Sequence, residues 1–292
     1  MVMSYHPHKI EKSLRHGKAM CVTCLTLCLL GQVALARLHA GTIDGGEIHE
    51  RGARAAGMGG VSAALPVPEA GMAWNPAMLA GSAGGGVLGW TPARFGLHEL
   101  GTAAVAWAQP FGAITVAMDL RRYGAETYAE HRLGASVATH IGTRLSGGIR
   151  VSLLHIGIAR YGSTLLPIID AGAGLAVTEE IRVGVVGAVL NTPTLSGDER
   201  IPTRCAAGLS WTHAGMLVAL DLEKETRHDV NLRVGTEWTL LGVLALRCGM
   251  STISRQWTAG IGFAYGVFRI DYGLAIHSEL GVTHTAGIGF AP

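Results

Sequence analysis

Charge is the first thing this chain has little of. Lys, Arg, Asp and Glu together make 15% of its 292 residues, against 49% hydrophobic residues. That balance excludes an intrinsically disordered chain. Cysteine is scarcer still: of five, Cys21, Cys24 and Cys28 fall in the first 36 residues, leaving Cys205 and Cys248. Both are in phase with the apolar side of an alternating run, so two apolar thiols are expected rather than a disulfide or a metal site. None of the first three follows the small residue that a lipoprotein signal places before its cysteine. Histidine is present but scattered. No His-x-x-x-His occurs, and Glu225-x-x-His228 stands alone, so no metal is expected. Ser152 and His155 are three residues apart, which on a strand puts them on opposite faces. Gly172-Ala173-Gly174 precedes no helix, and a nucleotide-binding loop is excluded. The chain is therefore expected to be no enzyme and to carry no cofactor.

What the chain does contain begins with a leader. Lys9, Lys12, Arg15 and Lys18 form a basic stretch, Ala19–Leu35 is apolar, and Ala34-Leu35-Ala36 offers a small-x-small cleavage site. Residues 1–36 read as a secretory signal peptide, with Leu38-His39-Ala40 as an alternative site. Their removal takes four basic residues and one acidic residue, leaving 19 against 20 and a net charge of −1. That gives no support to a nucleic-acid partner.

Glycine is abundant, at 42 residues, and has no collagen period. It recurs on one face of runs that alternate with period two, the mark of strands with one apolar and one small or polar side. In the last three runs, Trp257 to Tyr265, Phe268 to Ile276 and His284 to Phe290 are apolar on every second residue. Aromatics mark the ends of these apolar faces, as where a membrane strand crosses the headgroups. From Gly84 onward about fourteen such runs follow, the Ile181 run being spoiled by Val186 and Leu190. The opposite face carries isolated charges: Arg150, Arg182, Arg204, Arg233 and Arg269 with Asp221 and Asp271. A wet barrel lumen accommodates these, whereas a sandwich core does not. The expected fold is all-β, a transmembrane antiparallel barrel over 84–292 in the bacterial outer membrane. Its long gaps, Tyr123–Glu130, Ala159–Leu166 and Asn191–Ile201, are candidates for extracellular loops.

Residues 37–83 do not alternate. They include Gly52-Ala53-Arg54-Ala55-Ala56-Gly57-Met58-Gly59-Gly60 and Trp74-Asn75-Pro76-Ala77-Met78-Leu79. Asn75 is placed to cap a short helix with Pro76 at its first position. Too rich in glycine and proline for a wall strand, yet holding Trp74, Met58 and Met78, the segment is expected inside the lumen. Trp74, Asn75 and Pro76 are its candidate plug or ligand-binding residues.

These two motifs, with Asp271-Tyr272-Gly273-Leu274 and Gly281-Val282-Thr283-His284-Thr285 at the other end, resemble the FadL-like outer-membrane proteins. Within that superfamily they are most similar to the PorV/PorQ family. The resemblance rests on the two ends and implies a barrel of about fourteen strands with an N-terminal plug. It implies a structural or secretion-associated role with outer-membrane protein partners. The alternative implied is a passive channel for small hydrophobic molecules. The chain departs from the pattern in its compact middle, in having only Glu69 between the N-terminal motifs, and in ending Phe290-Ala291-Pro292.

Overall fold

The computed structural model describes residues 52–66, 74–196, 199–253 and 255–291. The expected signal peptide, both cleavage sites and Glu69 lie outside the described residues. A short helix, α1 (Gly52–Ala56), and a 3-10 turn (Pro76–Leu79) come first. Then follow β1 (Gly85–Thr91), β2 (Thr102–Phe111), β3 (Ile114–Gly124), β4 (Tyr128–Ile141), β5 (Leu145–Ile158), β6 (Gly162–Ala176) and β7 (Ile181–Ala188). A small hairpin, β8 (Thr194–Ser196) and β9 (Glu199–Arg200), separates these from β10 (Arg204–His213), β11 (Met216–Glu225) and β12 (Asn231–Leu240). The last strands are β13 (Leu244–Ser251), β14 (Gln256–Tyr265), β15 (Phe268–His277) and β16 (Gly281–Phe290). All but β8 and β9 join in one closed antiparallel barrel of fourteen strands, in which β7 pairs with β10 and β1 with β16. Closure leaves no free edge strand, a condition for strands in lipid.

The period-two pattern produces two faces of opposite character. On β2, Val105 and Trp107 are exposed while Ala104, Ala106 and Ala108 are buried. The same alternation runs round the barrel, giving an outward band of Leu, Val and Ile. Aromatics gather near its two margins. At one margin Phe290 stacks on Trp107 with ring centroids 6.1 Å apart and meets Phe268 edge-on at 5.8 Å. Trp257, Phe263, Tyr265 and Tyr272 are exposed on the outward face, whereas Asp271 is buried on the inward one. Cys205 and Cys248 are free and exposed, on the non-adjacent β10 and β13. Ile261 stands mid-strand on β14, 47% exposed. Arginine there should destabilise the barrel by about 2–4 kcal/mol in urea unfolding from lipid bilayers. A cost near zero would place Ile261 outside the hydrocarbon.

The two ends of the barrel differ. Gly112, Ala214-Gly215, Leu241-Gly242 and Gly266 make tight turns at the end where the chain terminates, each with a backbone in the left-handed region. At the other end lie the longer connections, residues 92–101 and 189–203. Short turns mark the periplasmic end of such barrels. All three gaps expected to be extracellular loops lie at the opposite end. Most of the second is strand, because β6 begins at Gly162.

The spoiled pattern near Val186 also has a structural reason. β7 stops at Ala188, and Val189 takes a φ of 56°. β6 pairs with β7 only from Ala171 to Ala176, so its first half extends beyond that ladder. Loop atoms finish the edge: Leu190 N donates to Ile169 O (2.9 Å), Asn191 Oδ1 accepts from Ile169 N (3.0 Å), and Asn191 Nδ2 donates to Pro167 O (2.7 Å). Pro167, which has no N–H, sits where a central strand does not tolerate it. The wall is notched here, and Leu190 and Asn191 fill the notch.

Candidate functional site

The inward glycines form a track. Gly273 on β15, Gly249 on β13 and Gly235 on β12 each face the described N-terminal stretch 52–60 so closely that a methyl group would collide with it, and one on Gly260 of β14 would come within 3.1 Å of Gly57 Cα. Gly208 on β10 and Gly184 on β7 lie against Ala63, and Gly172 on β6 and Gly148 on β5 lie against Asn75 and Pro76. Residues 52–66 and 74–83 thus lie along the inner wall, and bare backbone on the strands makes room for them. Gly59, at φ +70°, meets the Val234 and Met250 carbonyls, a position that only glycine fills without strain.

Side chains fasten the segment. Asn75 is fully buried: Oδ1 accepts from Ala77 N (3.0 Å), capping the 3-10 turn, and Nδ2 donates to Ala63 O (2.7 Å). Nδ2 also lies within hydrogen-bond reach of Val185 O (3.2 Å) and Ala173 O (3.3 Å). Pro76 follows as the first residue of the turn. The turn descends to the tight-turn end, where Leu79 packs on Ala108, Ala117 and Ala138. Asp221 Oδ2 accepts from Ser62 N (2.6 Å) and Ala63 N (2.9 Å), two backbone donors that would otherwise be buried without a strand partner. Arg54 holds Glu237 by two bonds, Nε at 2.8 Å and a terminal nitrogen at 2.7 Å.

Glu237 belongs to a larger network. Arg247 approaches it through Nε at 2.6 Å and reaches Asp271 through a terminal nitrogen at 2.7 Å, and Arg269 Nε lies 3.1 Å from Asp271. A second network centres on Arg150, 2% exposed, which lies 3.4 Å from Asp119 and 3.9 Å from Asp170. Arg121 and Arg132 complete it, on Asp119 and Asp170 respectively. A third pairs Arg204 with Glu225 (2.6 Å) and Arg233 with Glu223 (3.5 Å). Charges of both signs meet because neighbouring strands present them at the same register, Arg150 opposite Asp170 and Asp221 opposite Arg233. Of the expected lumen charges, Arg150, Arg204, Arg233, Asp221 and Asp271 are buried and Arg269 is partly so. Arg182 is different. Though in the inward phase with Gly184, it is the second residue of β7, at the rim, and is exposed.

Trp74 lies on an apolar part of the inner wall. It clusters with Ile168, Val186, Ala188, Val189 and Ala206, and Leu154 and Ile201 pack against the cluster. Leu166, opposite Leu154, and Ile156 extend the buried apolar face toward the notch in the wall. The sequence pattern assigns the inner face only small and polar residues. Ile156, Leu166 and Ile168 lie on that face, in phase with Ser152 and Asp170, which is the signal that locates them. Among the described residues no group of three metal-ligating side chains occurs. The interior offers a charged wall, an apolar patch beside an incompletely paired section of wall, and a segment laid across both.

No protein-family model matches the sequence, and no curated protein does either. The fold is nevertheless well represented among solved structures. The toluene transporter TbuX of Ralstonia pickettii superposes with a TM-score of 0.61 at 14% identity, covering 84% of this chain and 98% of its own. The toluene transporter TodX of Pseudomonas putida gives 0.62 at 12% identity, with 82% and 96% covered. A FadL homologue of Pseudomonas aeruginosa gives 0.60 at 10% identity, with 82% and 98% covered. This chain therefore shares its closed fourteen-stranded antiparallel barrel, over nearly their whole length, with proteins of the FadL-like transporter type.

Proposed function

We propose that this protein is a non-enzymatic outer-membrane channel for small hydrophobic compounds, its N-terminal segment acting as the plug. The supporting observation is the patch formed by Leu154, Ile156, Leu166, Ile168 and Val186 under Trp74. A barrel that only anchors itself in lipid has no need of apolar side chains on its inner face. These lie next to the notch between β6 and β10, where loop residues replace a strand. An apolar solute gains free energy on such a surface and none on the ionic wall elsewhere. The solved transporters of the same fold include proteins described as toluene transporters, which supports this reading over a secretion-associated one. Toluene uptake by cells carrying the intact chain should exceed that of cells without it. Ile156→Asn and Leu166→Asn should remove the gain while the barrel keeps its heat-modifiable gel migration. Equal uptake in all four strains would sink the proposal.

A second reading draws on the buried ionic networks and the tightly seated segment. Together they describe a closed barrel of the PorV/PorQ type, structural or secretion-associated, which works by binding other outer-membrane proteins. It predicts no uptake at all and a protein partner that co-purifies from the outer membrane.

A further inference from the structure

Strand register shows where the lipid-facing wall changes chemistry. One outward rung runs Leu88, Val105, Leu120, Leu133 and Leu153 across β1 to β5. The next rung toward the end with the long connections runs Trp90, Ala103, Arg122, His131 and His155. An unbroken aliphatic rung is followed at once by an indole, a guanidinium and two imidazoles. This is the order met on passing from hydrocarbon to headgroups. Arg122 is exposed and, among the described residues, has no ion-pair or hydrogen-bond partner. His131 and His155 are cross-strand neighbours with ring centroids 6.1 Å apart. Beside Arg122 a groove of about 300 Å³ opens, lined by Trp90 and Ala103 below and by His98 and Glu126 toward the connections.

We infer that this rung and groove bind the phosphorylated headgroup of an outer-leaflet glycolipid. Arg122 supplies a forked cation for the phosphate, and His131 and His155 supply ring N–H donors beside it. Trp90 and the aliphatic rung below receive the first part of the acyl chains. Glu126 is the carboxylate at the groove's edge, and a divalent counter-ion of the phosphate can bridge it to the lipid. The lipid class follows from position: the surface faces outward, at the end opposite the tight periplasmic turns. This site is independent of the lumen and does not rest on the transport reading.

The test uses the full chain, folded in detergent and examined by native mass spectrometry. The probes are a diphosphorylated diglucosamine lipid, its dephosphorylated form and phosphatidylethanolamine. The wild type should retain the diphosphorylated lipid in preference to both others. Arg122→Ala should weaken retention about fivefold, and adding His131→Gln and His155→Gln should weaken it further. Lys224→Ala, an exposed cation on the distant β11, should leave retention unchanged. These outward side chains are not part of the core, and heat-modifiable migration confirms that each variant is folded. Four results overturn the inference: full retention by the triple variant, equal retention of the dephosphorylated lipid, equal loss in Lys224→Ala, or preference for phosphatidylethanolamine. Displacement of the lipid by excess inorganic phosphate also overturns it, because the site would then hold free phosphate.

Discussion

Glu237→Gln should be among the most damaging single changes in this barrel, lowering its stability by about 3–5 kcal/mol in urea unfolding. The carboxylate is buried between Arg54, which holds it at 2.7 and 2.8 Å, and Arg247 at 2.6 Å. A glutamine has the same shape but no charge, so the buried Arg247 and the partly buried Arg54 lose their common counter-ion. Removing one partner from a buried pair costs far more than the pair contributes, because the remaining charge stays desolvated. Arg247 keeps Asp271 at 2.7 Å and Arg54 keeps its bond to Pro66 O, which favours the lower part of that range. Arg54→Ala should recover part of the loss in the double variant, since it removes one of the stranded cations. If the two changes simply add, the pair is not coupled and the network does not hold the segment.

Gly184→Val should act on the segment and spare the wall. Gly184 has an ordinary strand conformation, so the backbone accepts a side chain there. Its inward position is the difficulty: a Cβ would overlap the Ala63 carbonyl and come within 3.1 Å of Ala64 Cα. Both contacts are with backbone, which cannot rotate away. Overpacking of this kind costs about 1–3 kcal/mol when a core absorbs it. Here the segment can leave instead, with loss of the Asn75 Nδ2 bond to Ala63 O and the Asp221 bonds to Ser62 N and Ala63 N. The variant should remain a folded barrel, conduct ions better than the wild type, and expose residues 52–66 to protease. Gly157→Ala is the control, since its Cβ would meet nothing closer than 3.6 Å. Unchanged conductance and protease resistance in Gly184→Val would mean that the segment is not held by contact with β7.

The barrel was legible because lipid imposes a rule on every second residue. Runs such as Trp257 to Tyr265 state strand, face and register together. The rule fails where the wall itself is irregular. Val186 and Leu190 break the pattern because β7 ends, the chain turns inward at Val189, and Val186 packs under Trp74. The Asn75 cap was legible from Asn-Pro, a local signal. The carbonyls at Ala63, Ala173 and Val185 that it serves come from remote parts of the chain and leave no local trace. Arg54 and Arg247 were not read as lumen charges. One lies in a non-strand motif, and the other is on the face of the Leu244–Met250 run opposite Leu246 and Cys248, where its phase is the signal that locates it. The glycine excess pointed to a crowded lumen. What crowds it became visible only when strands far apart in sequence were brought round one segment.

Ion conductance in a planar bilayer tests most directly whether the N-terminal segment closes the lumen. The full chain should show little or no conductance, and deletion of residues 45–82 should leave a heat-modifiable barrel with large stepwise openings. Unchanged conductance after the deletion would show that something else closes the lumen, and failure of the deleted chain to fold would make the segment part of the barrel's core.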